Sequence, residues 1–239
     1  VVYDAYPYSF KEYLAAQQVE LKAHWEYDTI QRSEVKRHLN EYFYYGGLPE
    51  ILSFKNKRAM LSSLYQKIYL GDICARNNIK NDRVLNILIK KMAESVKQPL
   101  SYNRLKNVIV ATGAPISVPT TIDYVDYASD SWLILPMENE VGKLTEKEMQ
   151  KKYYFVDNGL LNLFLMNSET SLLENMVAVE LCRRFGKKNV FFLNAEKEID
   201  FIVPDEKLAI QVSYSIKDET TYNREVPPLV KYAKAHEDW

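Results

Sequence analysis

Helical hydrophobic patterning between residues 34 and 97 constrains the fold of this chain most. Three segments there place apolar side chains at helical spacing: SEVKRHLNEYFYY, KRAMLSSLYQKIYLGDI and RVLNILIKKMAESVK. The first segment ends at Gly46 and Gly47, and the third lies between Asp82 and Pro99. Because Asp caps helix N-termini while Gly and Pro mark helix ends, we expect a cluster of helices in this region.

The segment before this cluster contains a helix-start signal. YPYSFKEYLAA places Ser9 three residues before Glu12, a capping box that opens a helix. We expect the residues before it to finish an earlier domain. The chain starts at Val1 and stops within the helical pattern LVKYAKAHEDW, so the natural protein is expected to extend at both ends.

Composition favours a soluble globular protein in a reducing compartment. Hydrophobic residues make up 47% of the 239, and a net charge of −1 gives no overall field that attracts nucleic acid. Cys74 and Cys182 lie far apart in predicted helices and are interpreted as free, buried thiols. The histidines lack metal-ligand spacing, and no apolar run is long enough to span a membrane. We therefore expect a cytoplasmic protein with no metal site and no membrane partner.

Two helices followed by two strands are predicted from residue 101 onward. Ser101 caps a helix that ends at Gly113, Ser117 caps a second helix, and the strands WLILP and KKYYFV flank the turn ENEVGK. This order is typical of a winged helix. DNA reading by the second helix is disfavoured, because no Lys or Arg lies between Lys106 and Lys143. The same stretch carries Asp123, Asp126, Asp130, Glu138 and Glu140. A packing or protein-contact role is favoured instead.

Mixed patterning begins at about residue 153. Asp157 opens a helix over NGLLNLFLM, and Ser171 caps LLENMVAVELCRRF, which runs to Gly186. VFFL, EIDFIV and LAIQVSYS follow as three strands before a final helix. Strands enclosed by helices form a small α/β layer, so the chain as a whole is predicted to be α+β.

Six segments, in this order, resemble a widespread prokaryotic family of AAA-type ATPases. They are YPYSFKEYL, YFYYGGLPEIL, YLGDICARNNIKN, YYFVDNGLLNLFL, LLENMVAVELCRRFG and EIDFIV. In that family a P-loop ATPase domain is followed by a winged helix and a C-terminal domain of unknown function that resembles PD-(D/E)xK nucleases. The resemblance covers nearly the whole chain and starts where the ATPase domain of the family ends.

The resemblance implies three parts. Residues 1–33 are the end of a truncated ATPase domain and a linker helix, 34–150 are a helical and winged-helix domain, and 151–239 are a degenerate nuclease-like domain of restriction-endonuclease type with a truncated C-terminus. No G-x-x-x-x-G-K-[ST] loop occurs in the sequence. ATP and Mg²⁺ are therefore expected only in the N-terminal domain of the parent chain, and this chain is expected to carry no cofactor.

The resemblance also implies a vestigial nuclease site. Such nucleases bind Mg²⁺ through a helix carboxylate, a strand Asp and the Glu of a Glu-x-Lys pair, whose Lys assists the attacking water. Glu174 and Asp200 match the first two positions, but Gln211 and Ser213 replace the Glu-x-Lys pair on one face of the predicted strand. We therefore expect no catalysis. More simply, Glu174 forms a capping box with Ser171, and Asp200 is a hydrogen-bonded strand carboxylate.

Our leading hypothesis is a non-catalytic binding or regulatory module of an AAA-type ATP-binding protein. The alternatives are a metal-dependent nuclease whose lysine has migrated to Lys207 or Lys217, and a protein-interaction module unconnected with nucleic acid. Expected partners are DNA or another protein, besides the ATPase domain of the parent chain. DNA phosphates would contact a basic cluster, for which a solvated face is the simpler interpretation. The cluster consists of Lys151, Lys152, Arg183, Arg184, Lys187 and Lys188.

Overall fold

The computed structural model describes residues 4–80, 82–195 and 198–236 of the chain. Across these ranges, helices surround two small antiparallel sheets, which confirms the α+β prediction. None of the helices there combines the length and the apolar character that crossing a membrane requires.

The N-terminal part is helical, as the patterning predicts. Its helices are α1 (Phe10–Ala16), α2 (Thr29–Tyr45), α3 (Lys57–Lys67) with a π-helical continuation (Ile68–Ala75), and α4 (Asp82–Glu94); 3₁₀ turns cover Trp25–Tyr27 and Pro49–Ile51. The predicted capping box is present, since Ser9 N–H donates to the Glu12 carboxylate at 2.8 Å and Glu12 N–H donates to Ser9 Oγ at 3.3 Å. Asp28 starts α2 earlier than predicted by accepting two backbone N–H groups.

A three-stranded sheet follows α4. The elements of this region are β1 (Leu100–Ser101), α5 (Tyr102–Ala111), α6 (Val118–Asp130), β2 (Ile134–Met137), α7 (Leu144–Met149) and β3 (Gln150–Phe155). Ser101 and Ser117 cap α5 and α6, as predicted. The strand order is β1-β3-β2 with both pairings antiparallel, so β3 is the central strand.

A second sheet lies toward the C-terminus. The elements are α8 (Asn158–Asn162), α9 (Glu169–Phe185), β4 (Phe191–Asn194), β5 (Glu198–Val203), a 3₁₀ turn (Pro204–Glu206), β6 (Leu208–Ile210) and α10 (Glu219–Ala235). The order is β4-β5-β6, again antiparallel. This sheet and the flanking helices agree with the predicted α/β layer.

Two local predictions in this part are wrong. The helix α9 begins at Glu169, so Ser171 lies inside it and does not cap it. The predicted strand LAIQVSYS ends at Ile210. Side chains replace the backbone ladder beyond that point, because Asp200 N–H donates to Gln211 Oε1 at 3.2 Å and Val212 N–H donates to Asp200 Oδ2 at 2.8 Å.

A buried carboxylate ties the helical part to the end of β3. Asp157 caps α8, as predicted, by accepting Gly159 N–H at 2.8 Å, and it also accepts Gly47 N–H at 2.8 Å. A Cβ on Gly46 would lie 2.0 Å from Asp157 Oδ1, and one on Gly159 would lie 2.2 Å from the carbonyl oxygen of Tyr45. The glycines of YYGG and DNG therefore permit a close approach that any side chain would block.

One hydrophobic core runs through both sheets. Its buried members extend along the chain from Phe43 to Val203. The predicted 150/151 boundary falls inside β3, which pairs with β1 and β2 and also packs on α9. The sheets themselves meet at a parallel bridge between Asn139 and Phe192. The parts of the chain on either side of that boundary are thus packed together.

Candidate functional site

An open groove of about 710 Å³ brings the four predicted site residues together. Its walls come from α9, β5, the segment after β6 and α10. Glu174, Asp200, Gln211 and Ser213 all line it. The linear spacing of these residues gave no distance between them, so their convergence in one groove is a result of the fold.

Glu174 lies in the middle of α9 and points into the core side of the groove. Its side chain is buried, and Glu174 Oε1 accepts a hydrogen bond from Tyr154 Oη at 2.8 Å. The same oxygen lies 3.2 Å from Lys152 Nζ. Because Ser171 lies inside the helix, the simpler capping-box explanation for Glu174 does not hold.

Lys152 on β3 occupies the centre of the carboxylate cluster. Its side chain is 0% exposed, and Nζ lies 2.9 Å from Glu198 Oε1 and 3.6 Å from Asp200 Oδ1, in addition to its contact with Glu174. Burial alone would lower the pKa of Lys152, but the three carboxylates outweigh it and raise this pKa above its ordinary value. The lysine is therefore a charged ammonium, surrounded by carboxylates.

This position differs from the surface role expected for Lys152. A buried ammonium that faces carboxylates is not available to phosphates. Sequence reasoning missed the position, because lysine is among the residues least often fully buried. One signal was present: Lys152 lies in KKYYFV, whose following residues are all apolar or aromatic, and the central strand of a sheet is covered on both faces.

Asp200 on β5 is held by backbone groups of the segment that follows β6. Its Oδ2 accepts Val212 N–H at 2.8 Å, and its own N–H donates to Gln211 Oε1 at 3.2 Å. Burial, followed by the nearby Glu174, raises the pKa of Asp200 to about 7, although Lys152 and the Val212 N–H act in the opposite direction. This carboxyl therefore changes its protonation near neutral pH.

Gln211 and Ser213 have different roles in the groove. The Gln211 amide bridges the groove, since Nε2 donates to Glu225 Oε2 on α10 while Oε1 accepts from Asp200 N–H. Ser213 Oγ donates to the carbonyl oxygen of Ser215 at 3.1 Å, within its own loop. Because both residues follow the end of β6, the predicted common strand face does not exist.

Charge in the groove is predominantly negative. Three carboxylates surround one ammonium, and a fourth, Glu225, pairs with Arg224, the preceding residue of α10. Within residues 4–80, 82–195 and 198–236, no group of three His, Cys, Asp or Glu side chains has an arrangement that could hold a metal ion. The cluster is an ion network in which Lys152 provides the central cation and the carboxylates outnumber it.

The other basic residues do not form one free cationic surface. Lys151 lies 3.3 Å from Glu138 and 3.1 Å from Glu148, and both Arg183 and Arg184 contact Glu180. Lys187 lies 3.7 Å from Asp4, whereas exposed Lys188 has no partner among the residues that the structure describes. Neither Lys207 nor Lys217, the proposed migrated lysines, lines the groove.

Relatives of this chain are known by sequence. The family described as Domain of unknown function (DUF8612) matches residues 36–171. An uncharacterized protein of Methanocaldococcus jannaschii is 30% identical over 237 residues, which cover 95% of this chain and 53% of the relative. An uncharacterized protein of Haemophilus influenzae is 30% identical over 223 residues, which cover 90% and 53% respectively. This chain spans about half the length of these relatives, and no solved structure matches it significantly. Because the family match covers more than half of the chain, the chain belongs to the DUF8612 family.

Proposed function

We propose that this chain is a non-catalytic binding or regulatory module of an AAA-type ATP-binding protein, with a nuclease-like site in which an ammonium group replaces the metal ion. The observation that carries the proposal is the position of Lys152. Its Nζ lies within 3.6 Å of Glu174, Glu198 and Asp200, and two of these carboxylates are buried.

A lysine in this position competes with a divalent cation for the same oxygens. Mg²⁺ binds through carboxylate and water oxygens at short distances. To reach Glu174 and Asp200, the ion has to displace an ammonium whose side chain is wholly buried, and the displaced charge needs a new environment. Ser213 supplies no positive charge in compensation. The resident lysine thus favours a site that is stable rather than reactive.

The first sheet supports the winged-helix part of the proposal. From α4 to β3 the order is helix, strand, two helices, strand, the short helix α7 and strand, with the strand order β1-β3-β2. The candidate recognition helix α6 carries Asp123, Asp126 and Asp130 and no basic residue. Phosphates are repelled by such a surface, so we propose a protein partner for this helix rather than duplex DNA.

The proposal is tested by titration calorimetry with Mn²⁺ and by a cleavage assay. We expect no measurable Mn²⁺ binding by the unchanged chain, and no degradation of plasmid or single-stranded DNA with Mg²⁺ or Mn²⁺. Lys152→Ala vacates the cation position, so this variant should bind Mn²⁺ and show a higher melting temperature in its presence. The matched control is Lys151→Ala, which removes a neighbouring lysine that contacts other carboxylates. Metal-dependent cleavage that Asp200→Asn abolishes would refute the proposal.

The second candidate function is a metal-dependent nuclease in which Lys152 itself is the migrated lysine. It is favoured by one observation: Lys152 Nζ lies 3.2 Å from Glu174 and 3.6 Å from Asp200, two carboxylates that line the open groove. In that case the lysine assists the attacking water while a metal binds the carboxylates. Under this second proposal the unchanged chain cleaves DNA and Lys152→Ala abolishes the cleavage. Under the first proposal the unchanged chain does not cleave DNA.

A further inference from the structure

A second cavity lies on another side of the molecule, between β2 and the turn that precedes β4. The two strands meet where Glu140 N–H donates to the Phe192 carbonyl oxygen at 2.8 Å and Phe192 N–H donates to the Glu138 carbonyl oxygen at 3.0 Å. Toward Trp132 they diverge and leave a cleft of about 340 Å³. This volume is at the lower end of the roughly 300 to 1,000 Å³ that small-molecule sites occupy.

The edge of β2 that faces away from β3 forms the floor of this cleft. Val156 N–H donates to the Leu133 carbonyl oxygen at 3.2 Å, so Leu133, and two residues later Leu135, direct their backbone groups toward β3. By the alternation of an antiparallel ladder, Ile134 directs its N–H and carbonyl groups toward the opposite edge, which lines the cleft. Pro136 follows on that edge and has no N–H, so a regular strand cannot be added there. Ile134 is 0% exposed, so this edge is the closed floor of the cleft and a ligand lies over it.

Aromatic and cationic side chains complete the cleft. Trp132 and Phe191 both line it, and Lys187 Nζ lies 4.4 Å from the centroid of the Trp132 ring. Trp132 has φ +54° because it ends α6: its N–H donates to the Ser129 carbonyl oxygen at 3.0 Å, and Leu133 N–H donates to the Ala128 carbonyl oxygen at 3.0 Å. A second lysine at the rim is the exposed and unpaired Lys188 described above. Glu138 also lines the cleft, but Lys151 compensates its charge.

We propose that this cleft binds a nucleobase that carries a phosphate, either as a free mononucleotide or as one residue of a single-stranded nucleic acid. The base packs against Trp132 and Phe191, and exposed Lys188 binds the phosphate beside Lys187, which also contacts Asp4 and the Trp132 ring. The cleft shares no lining residue with the groove around Asp200, so this inference does not depend on the proposed function.

The test measures binding of four probes by titration calorimetry: adenosine monophosphate, adenosine, inorganic phosphate and a short single-stranded oligonucleotide. Adenosine monophosphate should bind more tightly than adenosine or phosphate alone. An oligonucleotide that binds more tightly than the mononucleotide identifies nucleic acid as the source, and the reverse order identifies a free nucleotide.

Two variants assign the binding to the cleft. Trp132→Ala should weaken mononucleotide binding by about tenfold, the effect typical of losing one stacking side chain. Lys188→Ala should weaken it by about threefold and leave adenosine binding unchanged. The matched control is Lys90→Ala, which removes an exposed lysine on α4 far along the chain. If circular dichroism shows that Trp132→Ala is unfolded, the binding measured for Lys188→Ala tests the proposal, because the exposed Lys188 side chain can be removed without disturbing the fold. The proposal is overturned if no probe binds, or if Lys188→Ala binds as tightly as the unchanged chain.

Discussion

Replacing Lys152 by methionine removes the central cation of the groove while nearly preserving side-chain length. The ammonium is fully buried, and Glu174 and Asp200 around it are only 4% and 7% exposed, so water cannot easily take its place. Removing one partner of a buried ion pair costs about 3–5 kcal/mol, because the other charge is left uncompensated. We expect Lys152→Met to lose this amount of unfolding free energy at about pH 8.

The cost of this substitution should depend on pH. Burial and Glu174 raise the pKa of Asp200 to about 7 even with Lys152 present, and the loss of the ammonium removes one influence that lowers it. An acid whose pKa is higher in the folded state than in the unfolded state stabilises the folded state when it is protonated. The destabilisation by Lys152→Met should therefore decrease as pH falls through 7, and it should be smaller at about pH 5 than at pH 8.

Urea denaturation followed by circular dichroism at both pH values measures this effect. The control is Lys151→Met, which removes the preceding lysine on the same strand. Its partners, Glu138 and Glu148, are 41% and 57% exposed, so water replaces the lost interaction and the expected cost is about 0–1 kcal/mol. Equal midpoints for the two variants at pH 8, or a cost for Lys152→Met that does not change with pH, would refute the argument.

Three further predictions concern the groove and the buried glycine contacts. Gln211→Glu brings a carboxylate against Glu225 and should cost about 1–3 kcal/mol in urea denaturation, and adding Glu225→Gln should restore most of it. Burial raises the pKa of Asp157 to about 6. The stability that this shift contributes is fully present below about pH 4, and about 3 kcal/mol of it is lost as pH rises through 6. The stability of Asp157→Asn should not show this dependence on pH. Gly159→Ala should lower the free energy of unfolding by about 3 kcal/mol or more, since its Cβ would overlap a carbonyl oxygen, whereas Gly71→Ala, which meets nothing within 4 Å, should not destabilise the chain.

Features set by neighbouring residues could be predicted from the sequence. The capping box of Ser9 and Glu12 and the caps formed by Ser101, Ser117 and Asp157 depend on a few consecutive residues, and all of them form. The cap of α9 was mistaken, because several polar residues in MNSETS compete to start the helix and the local pattern does not rank them. Tertiary packing decides such competitions.

Features set by distant residues could not be predicted in the same way. Alternating side chains continue past Ile210, so the pattern predicts a longer strand than forms. The ladder stops there because the Asp200 carboxylate and the Gln211 amide take backbone hydrogen bonds from opposite sides. The sequence allows Asp200 to be interpreted as a hydrogen-bonded strand carboxylate, but its partner Val212 N–H and the contact of Gln211 with Asp200 N–H follow only from the fold.

Side chains of β3, in the first sheet, contact the groove beside the second sheet. Lys152 and Tyr154 are two residues apart and lie on the same face of this strand, and both contact Glu174 Oε1. One residue further, Phe155 forms backbone hydrogen bonds with the side chain of Asn175, at 2.7 Å and 2.9 Å, which hold α9 against the strand. Because β3 is paired on both sides within the first sheet, the first sheet positions Lys152 beside the carboxylates of the groove. The ion contacts of the groove therefore depend on residues of both sheets and of α9, and not on the second sheet alone.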